Sequence, residues 1–472
     1  MPQRGPPAES VNGASPRRRL HAAKLGAAYA YRHSASAPMS PAAAAAGVAE
    51  APSPARRVRA KARRLPPILV TLFIIGLAFP VESSVYVGSL RLAPYRLVLI
   101  AALLPCLLQV LQGRAGRFGL ADGLLALHAL WAAVALLHWG GLAGAWGPAG
   151  VYVVESLGAY LIARAYIRSA AEYEAALRLM FLILMLILPF AVFESMTGQS
   201  LIHDAFRQIT GDPPLQGPEP RLGLDRAFGP FEHPILFGFF SAGLLAGAYY
   251  VLGRGRSGAR ALARLGAIAL ATFASLSSGP YLAFVAQAGL IAWDRVTRRL
   301  RGRWVVLASG LASGWVLVDV LSNRTPFHVF VWYLTLNRES AYNRILIWNL
   351  GTAEVARHPI FGIGLGEWQR PGWMGSSVDN FWLLEAMRYG LPGVLLLCLS
   401  ILLLAVRIGR STTLDDSARL CRSAWLVTLI GLSIAGATVH FWNALFCLFF
   451  FLIGAGAWLT DARATTVAGP AR

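Results

Sequence analysis

From Pro66 onward the chain alternates long apolar runs with short, basic connecting segments. An α-helix needs about 20 mainly apolar residues to cross the hydrocarbon core of a membrane. The pattern therefore predicts an all-α polytopic membrane protein with about 12 transmembrane helices and both termini on the same side. The apolar runs lie at 66–80, 93–111, 120–139, 148–166, 177–194, 234–252, 264–280, 281–293, 304–321, 381–406, 424–440 and 443–460.

The stretch 264–293 departs from the pattern, because polar and helix-breaking residues interrupt it. These residues are Ser275, Ser277, Ser278, Gly279 and Pro280. Irregular backbone at membrane depth is tolerated where it is buried in protein or lines a cavity. The stretch predicts either two short helices or one tilted, broken helix.

Composition excludes most other classes of protein. Of the 472 residues, 56% are apolar and 14% are charged, whereas soluble domains carry roughly 25% charged residues. Mean hydropathy is +0.53. These values exclude an ordinary soluble enzyme and a disordered chain. Four cysteines without a CxxC pair predict neither a disulfide framework nor a zinc site.

The net charge of +20 would suggest nucleic acid in a soluble protein. Here half of the surplus lies in residues 1–64, which hold twelve basic and two acidic residues. Much of the rest lies in short loops between apolar runs, which is the positive-inside signature of membrane topology. Nucleic acid is therefore not an expected partner.

This charge pattern predicts three regions. Residues 1–64 form a disordered, basic cytosolic arm that orients the protein, and its arginines could also touch anionic membrane lipid. Residues 65–462 form the transmembrane domain, with periplasmic loops at 195–233 and 322–380. Residues 463–472 form a cytosolic tail, so the N- and C-termini are both expected in the cytosol.

Loops as long as these two usually have a function or are disordered. Their sequences are not typical of disorder, and we therefore expect both outer loops to be ordered and functional. Residues 340–357 read as a helix with one apolar side. The segment 359–368, PIFGIGLGEW, is Gly-rich and aromatic and predicts a tight, ordered turn. Its GxGxG spacing does not indicate a nucleotide site, because no strand precedes it.

Three segments near these loops carry a family resemblance. They are 226–240 (RAFGPFEHPILFGFF), 344–366 (RILIWNLGTAEVARHPIFGIGLG) and 379–393 (DNFWLLEAMRYGLPG). In order, spacing and position the segments resemble those of the O-antigen ligase and polysaccharide polymerase superfamily, the Wzy/WaaL-like membrane proteins. The resemblance covers roughly residues 226–400.

The resemblance implies a GT-C type fold and a metal-independent glycosyl transfer at the outer face of the bacterial inner membrane, with no cofactor. The donor would be an oligosaccharide on undecaprenyl diphosphate. A polymerase moves the glycan onto another lipid-linked repeat unit, and a ligase moves it onto lipid A–core. Ligases of this family typically have His where this chain has Asp379, so the sequence favours a polymerase and puts the identity of the base in doubt.

Arg226 and Arg344 stand at the motif positions expected to bind the diphosphate. Arginine suits a diphosphate leaving group because it is permanently charged and donates bidentate hydrogen bonds. The alternative is a structural ion pair, for example of Arg226 with Asp225 or Glu232.

Asp379 is the positional candidate for the base that activates the acceptor hydroxyl. The alternative is an N-cap, because Asp379 or Asn380 directly precedes the helix that begins near Phe381. Glu385 is a second candidate base, although its spacing also allows an ion pair with Arg388. Four more residues are kept as candidates of lower weight: Asn380, His233, Glu232 and Trp348.

Two alternatives of other classes stay open. A transporter or lipid flippase commonly has twelve helices, but such proteins usually show repeats between their halves and ionisable residues in the middle of the membrane. We find no convincing repeat, and the polar residues concentrate in the two outer loops. An inactive scaffold in a polysaccharide assembly complex is the other alternative, and a chain-length regulator protein is a further candidate partner.

Overall fold

The computed structural model describes residues 65–461, except 89, 215, 216, 218, 256 and 335–337. The predicted arm, residues 1–64, and the predicted tail, residues 463–472, lie outside the described residues.

The described part of the chain is almost entirely helical, with one short β-hairpin near its start. The hairpin pairs β1 (Val85–Val87) with β2 (Leu90–Leu92) in antiparallel register, Tyr86 opposite Arg91. The helices are α1 (Ile68–Leu77), α2 (Pro94–Leu111), α3 (Leu120–Val153), α4 (Ala159–Tyr166), α5 (Ala170–Thr197), α6 (Leu201–Thr210), α7 (Pro234–Ala242), α8 (Leu245–Gly247), α9 (Gly258–Ala274), α10 (Ser278–Val296), α11 (Arg303–Leu321), α12 (Pro326–Leu334), α13 (Arg338–Arg357), α14 (Phe381–Gly409), α15 (Asp416–Gly436) and α16 (Asn443–Ala455). Shorter helical turns lie at Val81–Ser83, Val154–Gly158, Ala248–Leu252 and Ala457–Thr460.

Each predicted apolar run is helical over most of its length, and within the described residues eight helical segments are long and apolar enough to cross a membrane. The protein is therefore a polytopic, helical membrane protein. The predicted number of twelve spans is not confirmed by this count. One difference is α1, which has 10 residues and is shorter than a span requires.

A second difference is the segment Leu120–Tyr166, which counts as one candidate span of 47 residues but folds back on itself. The backbone turns at Gly141, where φ is 62°. Across this turn Tyr152 Oη lies 2.8 Å from His128 Nε2, and Arg164 Nε donates to Asp122 Oδ1 at 3.1 Å. These pairs place the two halves side by side and antiparallel, in agreement with separate runs at 120–139 and 148–166.

The interrupted stretch 264–293 forms two helices, α9 and α10, which are separated by Ser275, Leu276 and Ser277. Leu276 occupies the left-handed region, with φ at 44°, which is uncommon for a residue with a branched side chain. The break lies at the same end of the helices as both long loops.

The two predicted outer loops are ordered in their described parts. The first contains α6, which is held in place by the buried His203: its Nδ1 lies 2.9 Å from the acceptor Glu82 Oε2, and its Nε2 lies 3.0 Å from the acceptor Phe231 O. The second contains α12 and α13, and α13 spans the helix predicted at 340–357.

The Gly-rich turn after α13 packs its backbone against a break in α14. Ile363 N–H donates to Met387 O at 2.7 Å, Gly364 N–H donates to Arg388 O at 3.0 Å, and Leu391 N–H donates to Pro359 O at 2.7 Å. These bonds satisfy the backbone groups that α14 frees at its break. The turn therefore anchors α14 at its break near Gly390.

This close approach requires glycine at position 390. Its φ is 72°, and a Cβ there would overlap the Ile360 carbonyl. Gly390→Ala should reduce the free energy of unfolding by about 2–5 kcal/mol, from the left-handed backbone and the clash together. Thermal unfolding of the purified chain in detergent measures the effect.

The matched control is Gly289→Ala in α10, where a Cβ would meet no atom within 4 Å. That variant should unfold at the wild-type temperature or slightly above it, because alanine favours a helix. Equal stability of the two variants would contradict the packing described for the turn.

Candidate active site

A cavity of about 350 Å³ lies where the long loops meet the break between α9 and α10. Five segments contribute to it: the loop before α7, the start of α10, α13, the loop before α14, and the loop between α15 and α16. The residues that line it are Arg221, Arg226, His233, Ile235, Ser277, Ser278, Gly279, Ser340, Arg344, Ser377, Asp379, Val439, His440 and Trp442.

Arg226 lies in the wall of this cavity and is 7% exposed. Its Nη2 donates to Ser277 Oγ at 2.7 Å, and its Nε donates to Ser275 O at 3.5 Å. The neighbouring backbone is tied to the same break, because Ala227 N–H donates to Ala274 O at 2.9 Å. Hydrogen bonds to neutral groups therefore hold the Arg226 guanidinium at the cavity.

The predicted alternative, an ion pair of Arg226 with Asp225 or Glu232, is not found among the described residues. Glu232 instead accepts a hydrogen bond from Arg91 Nη1 at 2.8 Å and another from Asn443 Nδ2. Burial and the nearby Arg221 lower the pKa of Arg226 to about 10. The guanidinium stays charged at neutral pH, and its environment favours an additional anion.

Two further arginines contact the same break. Arg221 Nη1 donates to Leu276 O at 3.1 Å, and Arg344 Nη2 donates to Ser278 Oγ at 3.4 Å. Burial lowers the pKa of Arg344, while the Asp379 carboxylate acts in the opposite direction. The break thus anchors three guanidinium groups on one side of the cavity.

The break also supplies the first turn of α10. The first N–H groups of an α-helix have no partner within the helix, and the helix dipole places partial positive charge there. Ser278 and Gly279 belong to this turn and line the cavity. Together with the arginines they make a wall suited to a phosphate group.

Asp379 faces this positively charged wall, and Asn380 takes the capping role. Asn380 Oδ1 accepts a hydrogen bond from Leu383 N–H at 3.1 Å and is 3% exposed. Asp379 Oδ1 accepts from Ser377 Oγ at 3.0 Å. Of the two alternatives drawn from the sequence, the N-cap therefore belongs to Asn380, and the carboxylate of Asp379 remains at the cavity.

His233 lines the cavity and also begins α7, as its position before Pro234 predicts. Its Nδ1 accepts a hydrogen bond from Ile235 N–H at 3.1 Å. Burial, followed by the nearby Arg226, lowers the pKa of His233 to about 4. The ring is then neutral at pH 7, and because Nδ1 accepts, the proton is on Nε2.

Four predicted site residues do not line the cavity: Asn380, which caps α14, and Glu385, Glu232 and Trp348. Glu385 is 4% exposed, and its Oε2 accepts a hydrogen bond from Tyr152 Oη at 2.7 Å. The alternative pair of Glu385 with Arg388 is absent from the ion pairs of the described chain, where Glu385 lies 3.8 Å from His128 Nε2 instead. Glu232 is held by Arg91 and Asn443, and Trp348 stacks on Phe327 with ring centroids 4.3 Å apart.

Sequence reasoning missed several cavity residues. Ser277 and Ser278 were noticed as interruptions of an apolar run but not as ligands, although irregular backbone at depth often lines a cavity. Arg221 stands in the loop predicted at 195–233, whose acidic residues balance its charge. His440 lies in a short loop before α16, where the sequence gives no specific signal.

The geometry brings cationic, hydrogen-bonding and basic groups into one space. One side offers guanidinium, hydroxyl and helix N-terminal groups, which suit an anion. Asp379 and His440 offer a carboxylate and an imidazole that can accept a proton, whereas the only acceptor nitrogen of His233 is engaged by Ile235 N–H. Such an arrangement can bind an anionic leaving group next to an activated hydroxyl.

Comparison with known proteins finds a family model that matches part of the chain. Residues 263–398 match the family model described as O-antigen ligase. The match confirms the family resemblance over these residues, and it includes Ser277, Ser278, Arg344 and Asp379. No curated protein matches the chain.

The division between Asn380 and Asp379 predicts different effects on stability. Asn380→Ala removes the cap of α14 and should reduce the free energy of unfolding by about 1 kcal/mol. Asp379→Asn should change it by less than about 0.5 kcal/mol, because its side chain caps no helix. Thermal unfolding in detergent compares the two, and a larger loss for Asp379→Asn would contradict the assignment.

Proposed function

We propose that the chain, which matches the O-antigen ligase family model over residues 263–398, is a bacterial inner-membrane polysaccharide polymerase. It transfers a glycan from undecaprenyl diphosphate to a lipid-linked acceptor repeat unit at the outer face. The observation that carries the proposal is the convergence of Arg221, Arg226 and Arg344 on one cavity that also contains Asp379. In this topology the cavity faces the periplasm, and both termini are cytosolic.

The arginine wall, formed by Arg221, Arg226 and Arg344, binds the diphosphate of the donor. As the glycosidic bond to the diphosphate breaks, negative charge develops on the leaving oxygen. The guanidinium groups, the Ser277 and Ser278 hydroxyls and the first turn of α10 stabilise that charge. Because these groups are fixed by the fold, the stabilisation requires little reorganisation and no metal ion.

Asp379 accepts the proton of the acceptor hydroxyl. The acceptor oxygen then bonds to the anomeric carbon, and the bond between that carbon and the diphosphate oxygen breaks. The electron pair leaves with undecaprenyl diphosphate. The proton passes from the carboxylate to water, which regenerates the base.

A ligase that uses lipid A–core as acceptor is the second candidate, favoured by the description of the matching family. The presence of Asp379 at a position where ligases typically have His favours the polymerase. Both reactions use the same donor, and so the acceptor distinguishes them.

The direct test uses the full chain, purified in detergent, and lipid-linked glycan extracted from source cells that lack the protein. The polymerase makes a ladder of lengthened glycans from this donor alone, in the presence of a metal chelator. Product that forms only after lipid A–core is added identifies the ligase instead. No product with either acceptor would overturn both assignments.

Single substitutions of the arginines should abolish transfer while the protein remains inserted in the membrane. Arg226→Ala and Arg344→Ala should each lower kcat by at least about 10²-fold, as expected for loss of a group that stabilises developing charge. Arg344→Lys should fail nearly as badly, because lysine lacks the planar fork. The rate of glycan transfer is the measurement.

Arg357→Ala is the matched control. Arg357 is on the same helix as Arg344 but does not line the cavity, and its Nη2 lies 3.3 Å from Glu354 Oε2. It should keep the wild-type rate. Polymer of wild-type length from Arg344→Ala would refute the role of the arginine wall.

A further inference from the structure

His440 is held at the cavity by ring stacking. It lies in the loop between α15 and α16, and its ring stacks on Trp442 with centroids 4.6 Å apart and planes 29° from parallel. Trp442 in turn packs edge-to-face against the His233 ring, with ring centroids 5.5 Å apart. All three side chains line the cavity together with Asp379.

Within the described residues, the ring nitrogens of His440 make no hydrogen bond to the protein. His128, His203 and His233 each hydrogen-bond to other protein groups through a ring nitrogen. For His440 no such bond is found in the part of the chain that the structure describes. A cavity-lining imidazole fixed by stacking alone keeps both nitrogens available to a bound molecule.

The loop that carries His440 is tied directly to the segment that carries Asp379. Phe381 N–H donates to Val439 O at 3.2 Å. The Phe381 ring stacks on Phe441 with centroids 4.8 Å apart. The two segments are therefore packed together, and the Asp379 carboxylate acts electrostatically on the His440 ring.

From this juxtaposition we infer that His440 takes the proton of the acceptor hydroxyl and that Asp379 stabilises the imidazolium that forms. The inference rests on the proposed transfer reaction and refines its base. A neutral ring nitrogen accepts the hydroxyl proton as the acceptor oxygen bonds to the anomeric carbon. The carbon–oxygen bond to the diphosphate breaks with its electron pair, and the imidazolium then releases its proton to water.

A carboxylate beside an imidazole is a general way to hold a base and stabilise its charged form. Burial lowers the pKa of His440 to about 4, and Asp379 opposes that shift. The ring is thus neutral, and able to accept a proton, above that pH. The other charged or titratable groups that act on His440 or share its cavity are Arg388, Arg221, Arg226, Arg344 and His233.

The sign of the pH dependence follows. Protonation of His440 removes the base, so kcat/KM should fall as the pH drops through the pKa of the ring. Replacement by glutamine keeps a hydrogen-bonding group but removes the proton acceptor. His440→Gln should lower kcat by about 10²-fold or more, and the acidic limb assigned to this ring should disappear.

The experiment measures kcat and KM against pH for the wild type, His440→Gln and the control His358→Gln. His358 lies in the same outer region and contacts Glu354 at 3.5 Å rather than the cavity. The control should keep wild-type values. Binding of undecaprenyl diphosphate, followed by thermal shift, should be unchanged in His440→Gln, because the leaving group contacts the arginine wall.

Two further variants separate a base from a packing residue. The double variant His440→Gln with Asp379→Asn should be no slower than the slower single variant, since groups that act as a unit are not additive. If His440→Gln does not fold, His440→Ala is tested with added imidazole. Recovery of the rate supports the inference, and no recovery overturns it.

Wild-type kcat and an unchanged acidic limb in His440→Gln would overturn the inference and leave Asp379 as the base. That result is distinct from failure of the proposed function, in which the wild-type protein itself makes no product from the lipid-linked donor.

Discussion

The gathering of like-charged guanidinium groups around one small cavity is the interaction on which the rest of the site depends. Arg221 and Arg226 make no ion pair within the described chain, and Arg226 is 7% exposed. Burying such charges is costly unless they are hydrogen-bonded. The break between α9 and α10 offsets that cost with carbonyl and hydroxyl oxygens. A wall arranged in this way favours an anion that brings several negative charges.

The fold keeps this wall in place through irregular backbone that is itself fully engaged. Leu276, in the break between α9 and α10, has a left-handed backbone conformation. The turn at Pro359–Gly364 is bonded to the break in α14, the helix that follows Asp379 and Asn380. Interruptions of helices are tolerated at membrane depth where protein or a cavity satisfies the freed groups. Here the two helix breaks lie near the cavity in which the anion and the acceptor hydroxyl are proposed to meet.

Much of the architecture could be predicted from the sequence because it follows from hydrophobic length and helix-breaking residues. The helices, the break near Ser277 and the ordered turn after His358 are local features of this kind. Arg226, Arg344, Asp379 and His233 were chosen from motif positions, and the structure places them at one cavity. Their chemical roles stay predictions.

The contacts that could not be predicted join residues distant in the chain. The pattern near α14 could not decide which of Asp379 and Asn380 caps the helix, because both suit that position. Glu385 satisfies a spacing rule for pairing with Arg388, yet in three dimensions Tyr152 is its hydrogen-bond partner. His440 approaches Asp379 only because α15 and α16 return the chain to the start of α14.

The central claim is that the cavity recognises a diphosphate through its arginines. The most direct measurement compares the affinities of undecaprenyl diphosphate and undecaprenyl monophosphate for the purified full chain, with a metal chelator present. Hydrogen bonds to charged groups contribute about 1.5–3 kcal/mol each, so the diphosphate should bind at least about tenfold more tightly. That preference should be lost in Arg226→Ala. Equal affinities for the two lipids in the wild-type protein would contradict the account.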